Sequence, residues 1–379
     1  MAADPGQPAS FRGRHDRRRS FGSPGGDGQA LRLCRTPNPR PQTRSARRDR
    51  RERILKIAEE FKDDMRWKLK ALIQNTVALL PESASYATYY WIQRHAGSLR
   101  RVNPMSRLGA GVETWTRIRK LGFDPAGKTF FEVGTGRAPL VPIAFWLMGA
   151  GSTITIDLNP YLKFELIRES LAFMRENEGS IRQLFGTLIR EDRFADLLKL
   201  GSKQSLSSAE FLDFCRIQYI APGDAARTNL EPESVDFHTS FTVFEHIPGA
   251  VIEKILVEGG RIVRENGLFI HLIDYADHFA YCDPAISMIN FLQYPDDTWQ
   301  KYAGNRYMYM NRLRHDDYLA LFESAGHRVI ATEPAKDPRS TRILADGSIP
   351  LDSRFASKSK EVLATVGSWI ASQRRPRKG

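Results

Sequence analysis

The chain of 379 residues is long enough for one large domain with additions or for two domains, and 41% apolar residues with 10% aromatics supply a sizeable core, which excludes a wholly disordered or fibrous protein. Lys and Arg number 56 against 44 Asp and Glu, yet twelve Arg and only four Asp stand in residues 1–50, a net of +8 out of +12, so the other 329 residues carry +4. A body so nearly balanced gives little reason to expect a nucleic-acid-binding surface across the fold.

Residues 1–53 combine Arg with Gly, Pro and Ser and hold almost no periodic apolar positions, the composition of a solvated tail without a fixed fold. Arg17-Arg18-Arg19 and the run from Arg47 to Arg53 could also hold RNA or an anionic membrane surface, and whether Met1 or Met65 is the working start stays open. From Ile54 to Leu80 the apolar positions Ile54, Ile57, Ala58, Phe61, Met65, Leu69, Leu72, Ile73 and Leu80 recur at three- and four-residue steps, which predicts an amphipathic helix or a broken pair ended by Pro81. Packing on the main domain is its favoured use. Lys68 and Lys70 beside Trp67 also suit peripheral contact of 54–80 with a membrane surface. This helix and the aromatic cluster Tyr86, Tyr89, Tyr90 and Trp91, which either packs or walls a substrate pocket, make residues 54–104 a helical extension ahead of a domain over 105–379.

After Lys128 apolar β-rich runs alternate with helical segments, the pattern of a largely parallel sheet with helices on both faces. The predicted strands are Thr129–Val133, Thr153–Asp157, Arg216–Ile220, Val235–Ser240, Leu268–Ile273, Arg328–Thr332 and Thr365–Ser372. Residues 158–215 are too long for an ordinary crossover and read as a helical insertion, with helices over Tyr161–Glu176, Ile181–Leu200 and Ser208–Cys215. The most apolar run, Pro139 to Gly149, is well short of the ~20 residues of a membrane span and predicts a buried helix. Cys34, Cys215 and Cys282 are too few and scattered for a disulfide framework or a Cys-rich metal site, so with no secretory signal the chain reads as soluble and cytoplasmic.

Glu132-Val-Gly134-Thr135-Gly136-Arg-Ala-Pro139 follows a strand and opens a helix, so its glycines sit where a βα turn needs positive φ and close backbone approach to a ligand. A dinucleotide fingerprint would put a third Gly where Pro139 stands. Glu132 would repel a pyrophosphate and attract a free ammonium group, such as the one at the methionine end of S-adenosylmethionine. Asp157, twenty-one residues beyond Gly136, is placed to accept from both ribose hydroxyls, or to cap the next helix. Asp224 closes the third strand, where a short carboxylate can accept from an adenine amino group. These three acidic residues at successive strand ends converge on one crevice.

Residues from about 105 to 375 resemble the class I S-adenosylmethionine-dependent methyltransferases. The likeness is carried by Glu132-Val-Gly-Thr-Gly-Arg, Ile156-Asp-Leu-Asn-Pro160, Gly223-Asp-Ala, the stretch from Ser234 to Ile247 and that from Gly259 to Asp274. The resemblance implies a Rossmann-like seven-stranded mixed sheet, its last strand antiparallel and set beside the fifth, and S-adenosyl-L-methionine as cofactor. It also implies that Glu132, Gly134, Thr135 and Gly136 hold the methionine moiety, Asp157 the ribose, and Asp224 with Ala225 the adenine, with Ser240 next to the sulfonium. Ala138 stands where many members have a third glycine. Within the family, Glu245-His246-Ile-Pro resembles members that methylate small molecules, quinones and sugars, with His246 a candidate general base. Asp274, Asp277 and His278 place two carboxylates and an imidazole beside the crevice. They could bridge a divalent metal to a catechol-like acceptor, but a hydrogen-bonding lining for a polyol is the favoured use, and no metal is assigned. Asn305 to Tyr318, rich in Arg and aromatics, suits stacking on sugar rings or holding phosphate. This loop and the lengthened region to Trp299 resemble those of bacterial methyltransferases that accompany cell-surface polysaccharide synthesis. The expected reaction is methyl transfer to an oxygen, less so a nitrogen, of a small-molecule or saccharide acceptor. The rivals are a nicotinamide-dependent oxidoreductase and a non-catalytic nucleic-acid-binding protein with an Arg-rich arm.

Overall fold

A computed structural model describes residues 66–376, so the Arg-rich stretch 1–53 and the first turns expected from Ile54 lie outside the described residues. Seven strands form one sheet: β1 (Thr129–Val133), β2 (Ser152–Ile156), β3 (Ile217–Ile220), β4 (Val235–Phe241), β5 (Val263–Asp274), β6 (His327–Lys336) and β7 (Thr365–Arg374). Their order is β3-β2-β1-β4-β5-β7-β6. Strands β1 to β5 pair in parallel, while β7 runs antiparallel between β5 and β6. This is the Rossmann-like mixed sheet expected from the strand pattern and the resemblance. Because the chain leaves β1 first toward β2 and later crosses to β4, a crevice opens at the carboxyl ends of these central strands.

Adjacent residues of each strand face opposite sides, so Phe130 enters one core and Phe131 the other. On the first side, α4 (Leu140–Leu147) is buried along its whole length, as its unbroken apolar run predicts, between the sheet and α3 (Met105–Lys120). The insertion adds α5 (Phe164–Glu176), α6 (Glu178–Phe185), α7 (Glu191–Gly201) and α8 (Ser208–Phe214) to the same side. The expected single helix 181–200 is two, because Gly186 takes φ +54° and the chain turns through a short 3-10 segment before α7. On the second side, α9 (Gly249–Ile262) and α11 (His315–Ser324) cover the sheet.

A third apolar cluster joins α10 (Asp296–Ala303), α12 (Pro338–Asp346) and the loop before α10 to the N-terminal extension. The helix α1, residues 66–78, docks there through Trp67, whose ring lies 5.2 Å from Phe279 and 4.9 Å from Tyr302. Its backbone N–H donates to Asp283 Oδ2. The face turned inward is Trp67, Ala71, Gln74 and Val77, while the predicted stripe residues Leu69, Leu72 and Ile73 are exposed. The expectation of an inward Leu/Ile stripe is therefore corrected: the large tryptophan ring, packed on Phe279, Tyr294 and Tyr302, takes the inward place and leaves the three aliphatic side chains exposed. No helix among the described residues is long and apolar enough to cross a membrane.

In the Arg-rich stretch 305–318, which leads into α11, Arg306 lies over the Tyr86 ring while the other two arginines are structural. Arg314 is fully buried and donates to the carbonyls of Tyr275, Leu363 and Thr365. Arg312, likewise buried, donates to Phe291 O and Tyr294 O and pairs with Asp296. Both guanidinium groups are committed to loop carbonyls and are not offered to sugars or phosphates.

Candidate functional site

The turn after β1 is shaped by two left-handed glycines. Gly134 takes φ +87°, and a Cβ there would meet Val243 Cγ2 at 2.6 Å; Gly136 takes φ +70° and faces open space. Pro139 caps α4, where its missing N–H removes no helical bond. Over this turn lies a cleft of about 550 Å³ lined by Glu132, Gly134, Thr135, Gly136, Asp157 and His246.

Glu132 points into the cleft from a buried strand position, its Oε2 accepting from Thr155 Oγ1 at 2.7 Å. Burial pushes its carboxyl up to about 8, Asp157 acts in the same direction, and Thr155 and Arg107 oppose it. Asp157, just beyond β2, accepts from the Gly136 N–H at 2.9 Å and is raised by burial to about 7 against that bond and those of Thr135. Both carboxyls therefore titrate well above the usual carboxylate range.

The far wall is made by the end of β4. Thr242, a non-glycine residue at φ +53°, turns the chain so that Phe241, Thr242 and Val243 line the cleft. Arg107 reaches across from α3 to Phe241 O and Thr242 Oγ1, both at 3.2 Å, with its guanidinium 5.2 Å from the Phe241 ring. Asn311 holds the next turn by donating to Phe244 O and Ile247 O, which fixes His246 between them. The His246 Nδ1 lies 2.8 Å from Tyr309 O, and since a carbonyl only accepts, Nδ1 carries the hydrogen and Nε2 the lone pair. Desolvation by the cleft walls, helped by His278, lowers its pKa to about 4, so the imidazole is neutral at physiological pH.

Asp274 and His278 stand beside His246. The His278 ring centroid is 4.9 Å from that of His246, and its Nε2 lies 3.2 Å from Asp274 Oδ2, which also accepts from Tyr281 OH. Asp277 turns away, accepting from Phe279 N–H and Asn290 Nδ2 inside the protein, so only one of the two expected carboxylates meets the imidazole. Ser240 is buried with its hydroxyl 2.8 Å from His271 Nδ1, on the side of the strand facing the second core; Phe241 and Thr242 occupy the cleft instead. Asp224 is exposed at the end of β3, its Oδ1 accepting from Ala226 N–H, and Ala225 packs in the second core; neither lines the cleft.

Arg107, Thr242, Arg137 and Tyr161 also line the cleft, and the motif reading missed them. Arg107 precedes Glu132 by a helix and carries no local pattern, while Thr242 reaches the cleft through a backbone turn that no residue type announces. Arg137 and Tyr161 are shared with a neighbouring cavity of about 910 Å³ walled by Tyr86, Tyr90 and Trp91 of α2 (Glu82–His95). The aromatic cluster packs, with Tyr89 stacked on Tyr307 at 4.0 Å, and its other rings wall this cavity.

No protein-family model matches the chain, and no curated protein matches it. Among solved structures, an S-adenosylmethionine-dependent methyltransferase from Mesorhizobium loti is similar at 12% identity over 70% of this chain and 100% of its own, with a TM-score of 0.38. Geranyl diphosphate C-methyltransferase from Streptomyces coelicolor A3(2), solved with Mg2+, geranyl diphosphate and S-adenosyl-L-homocysteine, is 12% identical over 70% of this chain and 79% of its own, with a TM-score of 0.39. At TM-scores below 0.5 these likenesses do not bear on the chemistry of the cleft.

Proposed function

We propose that the protein transfers a methyl group from S-adenosylmethionine to an oxygen of a small-molecule or saccharide acceptor. The observation that carries this reading is a buried carboxyl, Glu132, beside two left-handed glycines and Asp157 at the ends of β1 and β2, in one cleft with His246. A site for a dinucleotide pyrophosphate has no use for a buried acid at that point, whereas an amino-acid ammonium supplies a cation to the Glu132 carboxyl, which otherwise accepts only from Thr155 Oγ1 among side-chain hydroxyls. Glu132 and the backbone of 134–136 hold the methionine end and Asp157 the ribose, while Asp224 and Ala225, outside the cleft, hold no part of the ligand. Ser240, turned to the second core, has no direct part in holding the ligand.

Catalysis of such a transfer rests on presenting the acceptor oxygen in line with the sulfonium methyl, with water kept out. Phe241, Thr242 and His246 form the acceptor side of the cleft. The acceptor proton leaves toward the His246, Asp274 and His278 group, where the Nε2 lone pair of His246 is available to it.

Calorimetric titration of the full chain should show binding of S-adenosylhomocysteine and none of nicotinamide dinucleotides. Asp157→Ala should weaken that binding by about 1.5–3 kcal/mol, roughly 10–150-fold, through loss of charge-assisted bonds. Binding of a nicotinamide dinucleotide in place of S-adenosylhomocysteine would overturn the reading.

A further inference from the structure

We propose that Glu245, His246 and His278 bind a divalent transition-metal cation on the acceptor side of the cleft. Each of the three offers a ligand atom within 4.8 Å of the other two, a separation that one ion can bridge. Glu245 is 2% exposed, and neither of its carboxyl oxygens has a hydrogen-bond partner; the N–H groups of Glu245 itself and of Asp274 act on it without hydrogen-bond geometry. A buried polar group left this way is costly unless something absent from the protein chain satisfies it. Arg107 faces the same carboxylate but is committed to Phe241 O and Thr242 Oγ1.

The imidazoles are prepared in the manner of ligands. His246 donates Nδ1–H to Tyr309 O, which leaves the Nε2 lone pair free, and His278 donates Nε2–H to Asp274, which leaves that of Nδ1. A distal nitrogen bonded to a carbonyl or a carboxylate is the usual support of a metal-bound histidine, since it fixes the tautomer and the ring orientation. Asp274 is itself held by Tyr281 OH at 2.6 Å and Ala276 N–H at 2.9 Å. The two rings are inclined at 66° and so are not stacked. Two imidazoles and one carboxylate suit Mn2+, Co2+ or Zn2+ better than Mg2+ or Ca2+, which prefer all-oxygen sets.

Three protein ligands leave coordination positions open toward the cleft that His246 lines. The use of the ion, though not its binding, rests on the methyl-transfer reading. A bound hydroxyl acceptor would lose its proton to solvent more readily. Its oxygen would then form the O–C bond as the C–S bond breaks and the electron pair passes to sulfur. His246 becomes a ligand in place of a base.

The test uses the full chain, stripped with a chelator and titrated with CoCl2 and MnCl2 while the visible Co2+ absorption is followed. One equivalent of Co2+ should bind with visible bands. Glu245→Gln and His278→Ala should each weaken binding by more than about tenfold, and Asp274→Asn by about 10–100-fold. Glu245→Gln keeps the side-chain volume, so its melting curve separates a lost ligand from a lost fold, and S-adenosylhomocysteine affinity should be unchanged in both ligand variants. No stoichiometric binding, or a change below about tenfold in both Glu245→Gln and His278→Ala, overturns the site. Metal binding without S-adenosylhomocysteine binding upholds the site and sinks the methyl-transfer reading; the reverse pattern sinks the site alone.

Discussion

Glu132 concentrates the conflict between stability and ligand binding in one carboxyl. Its folded pKa of about 8 stands above the ordinary 4.5, so folding takes up a proton between those values. The group therefore costs nothing below the lower value, and stability declines as pH rises through the interval toward the upper one. Asp157, raised to about 7, adds to the same trend, and the protons come off the pair rather than off either residue alone. Glu132→Gln keeps an acceptor for Thr155 and removes the titration. Its melting temperature should exceed that of the parent by a margin that widens from pH 5 to pH 8, while S-adenosylhomocysteine affinity falls by roughly 10–100-fold. Binding of that ammonium-bearing ligand at pH 7 should release a proton from the parent, read by calorimetry in two buffers of different ionisation enthalpy. A margin that stays constant with pH would show that Glu132 is already ionised in the free protein.

At the level of elements, the sheet was legible because each strand is a short β-branched or aromatic run bounded by Gly, Pro or charged residues, and the glycine turn lies directly behind the first of them. β1 has the predicted limits, and the other strands begin or end within a few residues of theirs; β5 starts five residues early because it opens on an irregular pairing with β4. The same periodicity could not say which face of α1 is buried, since apolar residues occur all round it and the choice is made by Phe279, Tyr294 and Tyr302 more than 200 positions away. Arg312 and Arg314 misled for a similar reason: a guanidinium that caps loop carbonyls and one that awaits a phosphate look alike in sequence. Arg314→Leu removes the buried donor to three carbonyls, so urea unfolding should show a loss of about 3 kcal/mol or more. The folded fraction should bind S-adenosylhomocysteine as before. Weakened affinity at unchanged stability would instead mark Arg314 as a ligand-binding residue.

In the whole molecule, the cleft is a product of topology, and its floor could be read from strand ends while its rim could not. Glu132, Gly134, Gly136 and Asp157 come from two adjacent parallel strands, so their convergence follows from the fold class alone. The rim is made by segments distant in sequence, to which the insertion 158–215 contributes only in part and helix α1 not at all. Of the insertion, Tyr161, Leu166 and Ser170 reach the cleft, while α6 to α8 pack behind α4. Helix α1 is docked on the third apolar cluster, and the cleft is bordered instead by the link from Ser98 to Asn103, between α2 and α3, and by Arg107 at the start of α3. Ligand binding should therefore slow amide hydrogen exchange in residues 98–107 and 161–170, which must close on the ligand to exclude water, and leave residues 66–78 at their former rate. Mass-spectrometric exchange with and without S-adenosylhomocysteine reads all three segments in one experiment. Slowing of 66–78 to the same degree as 98–107 would mean that the helix covers the ligand after all, and that its docking on Phe279 and Tyr302 is exchanged for a closed form.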